Sequence, residues 1–124
     1  MKNCVIGIDA GGTMTKAALF DFSGHELACA RRKNVMTFPH PGWTERDPDR
    51  MWNAAAEAIR EVLDIAGRNP GDVAAVSVAG YGSGLYLVDR NGDPVRPGIV
   101  STDSRAAGLV AEWAAAGLTD QVEP

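Results

Sequence analysis

Apolar and polar positions divide the chain into segments of different period. Cys4-Val5-Ile6-Gly7-Ile8 is an unbroken apolar run and Ala17-Ala18-Leu19-Phe20 is another, ending at Asp21, so the stretch from Asp9 to Lys16 between them predicts a tight turn joining paired strands. Phe22-Ser23-Gly24-His25 predicts a further turn, after which residues 26–32 return as a third strand. Residues 34–46 carry Pro39, Pro41 and Gly42 and predict a loop. Asp47-Pro48 then predicts a helix start, with Asp47 as N-cap and Pro48 at the first helical position. Met51, Trp52, Ala55, Ala58, Ile59, Val62 and Ala66 recur at helical spacing, and Gly67 is placed to stop the helix.

Beyond Asn69-Pro70-Gly71-Asp72, the run Val73 to Ala79 is apolar enough for a central, buried strand. It leads into Gly80-Tyr81-Gly82-Ser83-Gly84, another glycine-rich turn. Leu85 to Asp89 predicts a strand, Arg90-Asn91-Gly92-Asp93 a turn, and the alanine-rich stretch after Arg105 a helix reaching Ala116. Antiparallel strands, a helix, a strand and a helix, in that order, predict an α/β fold of the ribonuclease H-like kind, a mixed sheet with flanking helices. Ligands gather beyond the carboxyl ends of strands in such sheets, which would set both glycine turns on one cleft.

The 124 residues suffice for one compact domain and not for two substantial ones. A net charge of −4 gives no support to nucleic-acid binding, which shows as a basic patch or stripe. Cys4 and Cys29 are too far apart for a metal motif and read as reduced, buried thiols. The short apolar run after Lys2 is neither a secretory segment nor a membrane span, and a cytoplasmic protein with no membrane partner is the expectation.

The first turn carries the chemistry. Gly11 and Gly12 put no side chain between their amides and a phosphate. Thr13 and Thr15 add hydroxyl donors, and Lys16 adds a positive charge. Asp9 closes an apolar strand and needs a cation beside it; hydrated magnesium, with its preference for oxygen, suits. The pattern is neither a Walker A loop nor a dinucleotide fingerprint, since the glycines lead into a strand and not a helix. It resembles the first phosphate loop of the actin, hexokinase and Hsp70 superfamily.

A more specific resemblance spans nearly the whole chain. Gly7-Ile8-Asp9 with Gly11-Gly12-Thr13, then Gly42-Trp43-Thr44-Glu45-Arg46-Asp47-Pro48 with Trp52, is similar to the amino-terminal domain of the FGGY carbohydrate kinases. Gly80 to Asp89, followed by Gly98-Ile99-Val100-Ser101-Thr102-Asp103-Ser104-Arg105-Ala106, resembles the L-xylulose and 3-keto-L-gulonate kinase branch. The resemblance implies ATP and Mg2+ as cofactors, with Asp9 acting on the metal and Gly11, Gly12, Thr13, Thr15 and Lys16 lining the phosphates. It implies a sugar beside Gly82, Ser83 and Asp103. Gly82 and Ser83 stand where D-xylulose kinases carry Met-His, a departure that leaves the sugar open among ketopentoses, keto-sugar acids and polyols. Asp103 serves equally well as a cap and brace of the final helix. Trp43 and Glu45 read as a loop pin and a brace of the helix start, and His25 and His40 as turn residues without partners.

Family kinases are several times longer, and their catalytic base lies beyond this chain's last residue. Residues 1–124 are therefore expected to be the first part of the amino-terminal domain, inactive alone, with the rest of that domain and the carboxy-terminal domain absent. A bare sheet edge leaves a homodimer open. A ROK or N-acetylglucosamine-type kinase shares the phosphate loop and remains an alternative, as does a noncatalytic sugar- or nucleotide-binding module.

Overall fold

A computed structural model describes residues 2–122. Strands β1 (Cys4–Ala10), β2 (Met14–Asp21) and β3 (Glu26–Lys33) form an antiparallel meander. Helix α1 (Pro48–Ile65) crosses one face, and β6 (Val73–Gly80) then pairs parallel with β1, giving the order β3-β2-β1-β6.

Alternation along the strands decides which face is the core. Cys4, Ile6 and Ile8 of β1, Thr15, Ala17 and Leu19 of β2, and Ala28 and Ala30 of β3 are all buried. Ala58, Val62 and Leu63 of α1 close over them. Small alanines in β2 and β3 let the helix sit close, and Leu19 and Val62, each 0% exposed, anchor the contact, each contributing about 1.5–3 kcal/mol by burial. The helix starts as the sequence predicts: Oδ1 of Asp47 accepts from the N–H groups of Asp49 and Arg50. It stops at Gly67, whose φ of 58° is the left-handed conformation that glycine adopts most readily.

The stretch 34–46 is not simply loop. Strands β4 (Met36–Thr37), β5 (Glu45–Arg46) and β7 (Gly98–Ile99) build a second, small antiparallel sheet from segments distant in sequence. Such short pieces carry no period, so the pattern could not show them. Leu85 to Asp89 does not form a regular strand. Its partner segment holds Pro94 and Pro97, which cannot donate to a ladder, so isolated bridges form at Leu85–Ile99 and Val88–Pro94.

β6 is an edge rather than a central strand among the described residues, with Val76 and Val78 52% and 64% exposed. Trp52 is likewise exposed instead of buried, bordering an apolar groove of about 370 Å3 between α1 and β6. The sheet does not extend far enough past β6 to cover either. Helix α2 (Ala107–Ala115) lies in the predicted place without a side-chain cap, and the short α3 (Thr119–Val122) is additional.

Candidate phosphate and substrate site

The hairpin between β1 and β2 is tighter than the sequence suggests, spanning only Gly11 to Thr13. Asp9 and Lys16 are consequently strand residues, paired across the ladder with Lys16 Nζ 3.8 Å from Asp9 Oδ2. Both point to the sheet face away from α1, beside a shallow concavity of about 440 Å3 that they line with Arg31 and Ser77. An exposed pair of this kind is weakly held. Gly11 cannot be replaced without displacement, because a Cβ there would lie 2.8 Å from the Met14 carbonyl oxygen. Gly12 lies against the ring of Tyr81, and Thr13 is exposed at the tip.

Thr15 is placed differently from the expectation. Strand alternation turns it inward, 1% exposed, and its hydroxyl hydrogen-bonds Asn34 Oδ1 at 2.8 Å. It braces the loop from beneath and has no free face for a phosphate. Asn34 also donates from Nδ2 to the Gly11 carbonyl at 2.7 Å and from its backbone N–H to the Thr13 carbonyl at 2.9 Å. One asparagine thus fastens the loop at three points. The sequence carried no motif for Asn34; the β2–β3 register, Met14 opposite Lys33, is what delivers it to the loop.

The second glycine turn reaches the same end of the sheet because β1 and β6 run parallel with Ala10 opposite Gly80. The Tyr81 N–H donates to the Ala10 carbonyl at 3.0 Å, and the Tyr81 hydroxyl hydrogen-bonds Ser101. Tyr81 therefore joins the glycine hairpin, the second turn and the segment before Asp103. Beyond it Gly82 and Ser83 are exposed, Ser83 with a φ of 60° and Gly82 with open space above its Cα. The structure thus brings the residues of the first glycine turn and Gly82–Ser83 to one end of the sheet.

Asp103 belongs to a closed polar cluster. Its side chain is 3% exposed. Oδ1 accepts from the Arg105 backbone N–H and Nε, and Oδ2 from the Thr44 N–H at 2.6 Å and Arg105 Nη2 at 2.8 Å. The Arg105 guanidinium, with help from the Thr44 and Arg105 N–H groups and against the effect of burial, holds the Asp103 carboxyl far below the usual carboxylate range. Glu45 accepts from Arg96 at 2.6 Å and from Arg105 at 2.9 Å, and the Arg105 guanidinium stacks 3.9 Å above Trp43.

These contacts revise several expectations. Asp103 neither caps α2 nor offers an unengaged oxygen to a sugar; it ties the 101–105 segment to Thr44, just before β5. Glu45 braces Arg96 and Arg105 rather than the helix start, while Trp43 pins its loop as expected, with His40 edge-on at 4.7 Å. His25 does have a partner, Asp21 Oδ2 at 3.0 Å.

Among the described residues no three His, Cys, Asp or Glu side chains converge as a metal cage. Asp9, 58% exposed at the mouth of the loop, suits magnesium, which takes one or two protein carboxylates and draws its remaining oxygens from water and phosphate.

A glycine hairpin on a mixed sheet backed by a single helix defines one wall of the actin-like ATPase fold. The chain matches the FGGY family of carbohydrate kinases, N-terminal domain, over residues 4–124, and it belongs to that family. It is 35% identical over 122 residues to a probable L-xylulose kinase of Pasteurella multocida, covering 98% of this chain and 25% of that protein. It is 33% identical over 119 residues to the L-xylulose/3-keto-L-gulonate kinase of Escherichia coli, covering 96% and 24%. Glycerol kinases match over the same length at comparable identity. The crystal structure of xylulose kinase from Rhodospirillum rubrum superposes with a TM-score of 0.80 at 34% identity, over 90% of this chain and 23% of that one. The chain thus spans about a quarter of the length of the curated relatives it matches.

Proposed function

We propose that the polypeptide to which these residues belong phosphorylates a small polyhydroxylated substrate from Mg-ATP, and that residues 1–124 are the first part of its amino-terminal domain. The observation that carries the reading is the hairpin itself: half-buried Gly12 and exposed Thr13 beside Asp9 and Lys16, held by Asn34 and joined through Tyr81 to the second glycine turn. The bound nucleotide would supply the γ-phosphoryl group. Asp9 would hold the magnesium ion. Gly11, Gly12 and Thr13 would orient the phosphates through backbone N–H groups, and Lys16 would offset their charge.

Gly82 and Ser83 would face the substrate. With no Met-His pair there, the wall is open and small, which suits an L-ketopentose, a keto-sugar acid or a polyol; the likeness to L-xylulose/3-keto-L-gulonate kinase favours the first two. Asp103 and Arg105 would set the pocket by fixing the backbone around Thr44, acting as positioning residues. A cytoplasmic setting accords with the free thiols of Cys4 and Cys29 and the use of ATP.

These residues alone supply a phosphate loop without an acceptor-activating base, so the 124-residue chain will show no turnover. The test compares this chain with a polypeptide extended to the relatives' length, assayed on L-xylulose, 3-keto-L-gulonate, glycerol and N-acetylglucosamine. Turnover of a ketose or keto-acid by the longer protein, abolished by Asp9→Asn, supports the reading. Preference for N-acetylglucosamine, or tight sugar binding by the short chain with no activity at any length, would replace it.

A further inference from the structure

Tyr81 is the first residue past β6, and three contacts hold it. Its backbone N–H donates to the Ala10 carbonyl at 3.0 Å, which carries the β1–β6 register one step beyond Gly80. Its ring lies over Gly12, where a Cβ would come within 3.4 Å of Tyr81 Cε2, so the lack of a side chain at position 12 lets the ring in. Its hydroxyl hydrogen-bonds the Ser101 hydroxyl. A tyrosine has only two side-chain torsions, and a ring packed at one end and bonded at the other keeps one orientation.

In a core such contacts would serve structure alone. Here Tyr81 is half-buried, Ser101 is exposed, and the bond between them lies at the surface. Two hydroxyls bonded to each other use one donor and one acceptor, so the pair keeps one O–H donor and further lone pairs. A fixed group that donates and accepts matches the hydroxyl of a sugar or polyol, which does both. Gly82 and Ser83 follow directly and are exposed, with open space above the Gly82 Cα. The charged groups nearest in sequence to Ser101 are already engaged, Asp103 with Thr44 and Arg105, and Arg105 with Asp103 and Glu45. Hydroxyl chemistry is therefore what this wall has to offer.

We infer that Tyr81, paired with Ser101, binds a hydroxyl of the acceptor substrate, and that its ring sets the distance of that hydroxyl from the hairpin at Gly12. Tyr81 is thus a specificity-determining residue. The inference rests on the kinase reading, which by itself assigns Tyr81 no contact with substrate.

Steady-state kinetics on the polypeptide extended to the relatives' length tests it. Tyr81→Phe keeps the ring over Gly12 and removes the hydroxyl. It will lower kcat/KM for the acceptor by about three- to tenfold, mostly through KM, and leave the KM for ATP within about twofold. Acceptor analogues each lacking one hydroxyl, other than the one phosphorylated, separate recognition from structure: on one of them wild type and Tyr81→Phe will converge. An unchanged kcat/KM for the acceptor in Tyr81→Phe overturns the inference alone, as does an equal penalty on every analogue. An extended polypeptide that turns over no acceptor refutes the kinase reading and takes the inference with it. Should Tyr81→Phe fail to fold, Ser101→Ala takes its place, with the same penalty expected and the same results counting against it.

Discussion

Replacing Asn34 with alanine removes the side chain that joins the β3 end to both limbs of the β1–β2 hairpin. Two side-chain hydrogen bonds go, to Thr15 Oγ1 at 2.8 Å and to the Gly11 carbonyl at 2.7 Å. Each is worth about 0.5–1.5 kcal/mol net. Thr15 is 1% exposed, so its hydroxyl is left buried without a partner, which costs about 1–3 kcal/mol, whereas the Gly11 carbonyl at the loop can turn to water. With the loss at Thr15 counted once and the Gly11 bond added, Asn34→Ala costs about 1.5–4.5 kcal/mol. Asn34→Asp will be worse, since it keeps the acceptor for Thr15 but sets a carboxylate against the Gly11 carbonyl. Thr15→Val removes the stranded hydroxyl, so Thr15→Val combined with Asn34→Ala will cost about 1–2 kcal/mol less than the sum of the single changes. Urea unfolding followed by circular dichroism gives all three values, with an unchanged m confirming that only stability moved. A cost below about 0.5 kcal/mol for Asn34→Ala, or additivity within about 0.3 kcal/mol, would refute the idea that Asn34 fastens the loop.

Gly11→Ala puts a methyl group 2.8 Å from the Met14 carbonyl, so it will lower the unfolding midpoint and broaden the amide signals of residues 10–14 in NMR spectra, while Gly24→Ala, with open space around it, will leave those signals in place. The Asp103 carboxyl is held below its unfolded value by Arg105, so its stabilising effect is complete above the ordinary carboxylate range and is lost as pH falls toward the folded value. Asp103→Asn will therefore be less stable than wild type at neutral pH, with the gap closing below about pH 4 in pH-resolved thermal melts. Val73 to Gly80 is an uncharged, proline-free edge with exposed Val76 and Val78, so the chain will associate in a concentration-dependent way in analytical ultracentrifugation, and Val76→Lys will reduce this.

The hairpin, α1 with its Asp47 cap and Gly67 stop, and the existence of β6 were legible because each rests on a local period or a local cap. What escaped rests on contacts distant in sequence. β5 is two residues long and exists only because β4 and β7 flank it. Asn34 looks like an ordinary loop residue until register sets it under Gly11. The inward turn of Thr15 follows from where β2 begins, at Met14 and not at Ala17, since a strand starting there alternates Thr15 in and Lys16 out. Asp103 matched a family position, but its partners Thr44 and Arg105 decide what its oxygens can do. Composition overstated the burial of β6, because an apolar strand reads the same whether or not a neighbour covers it.

The most direct test of the central claim is a residue-resolved NMR titration of the chain with Mg-ATP, repeated with Asp9→Asn, whose exposed side chain makes no contribution to the core. Shifts confined to residues 9–16 and to Tyr81, reduced in Asp9→Asn and unaccompanied by changes in α1, are the result the account predicts. Saturating nucleotide that leaves those amides unmoved while shifting signals elsewhere on the sheet would contradict it.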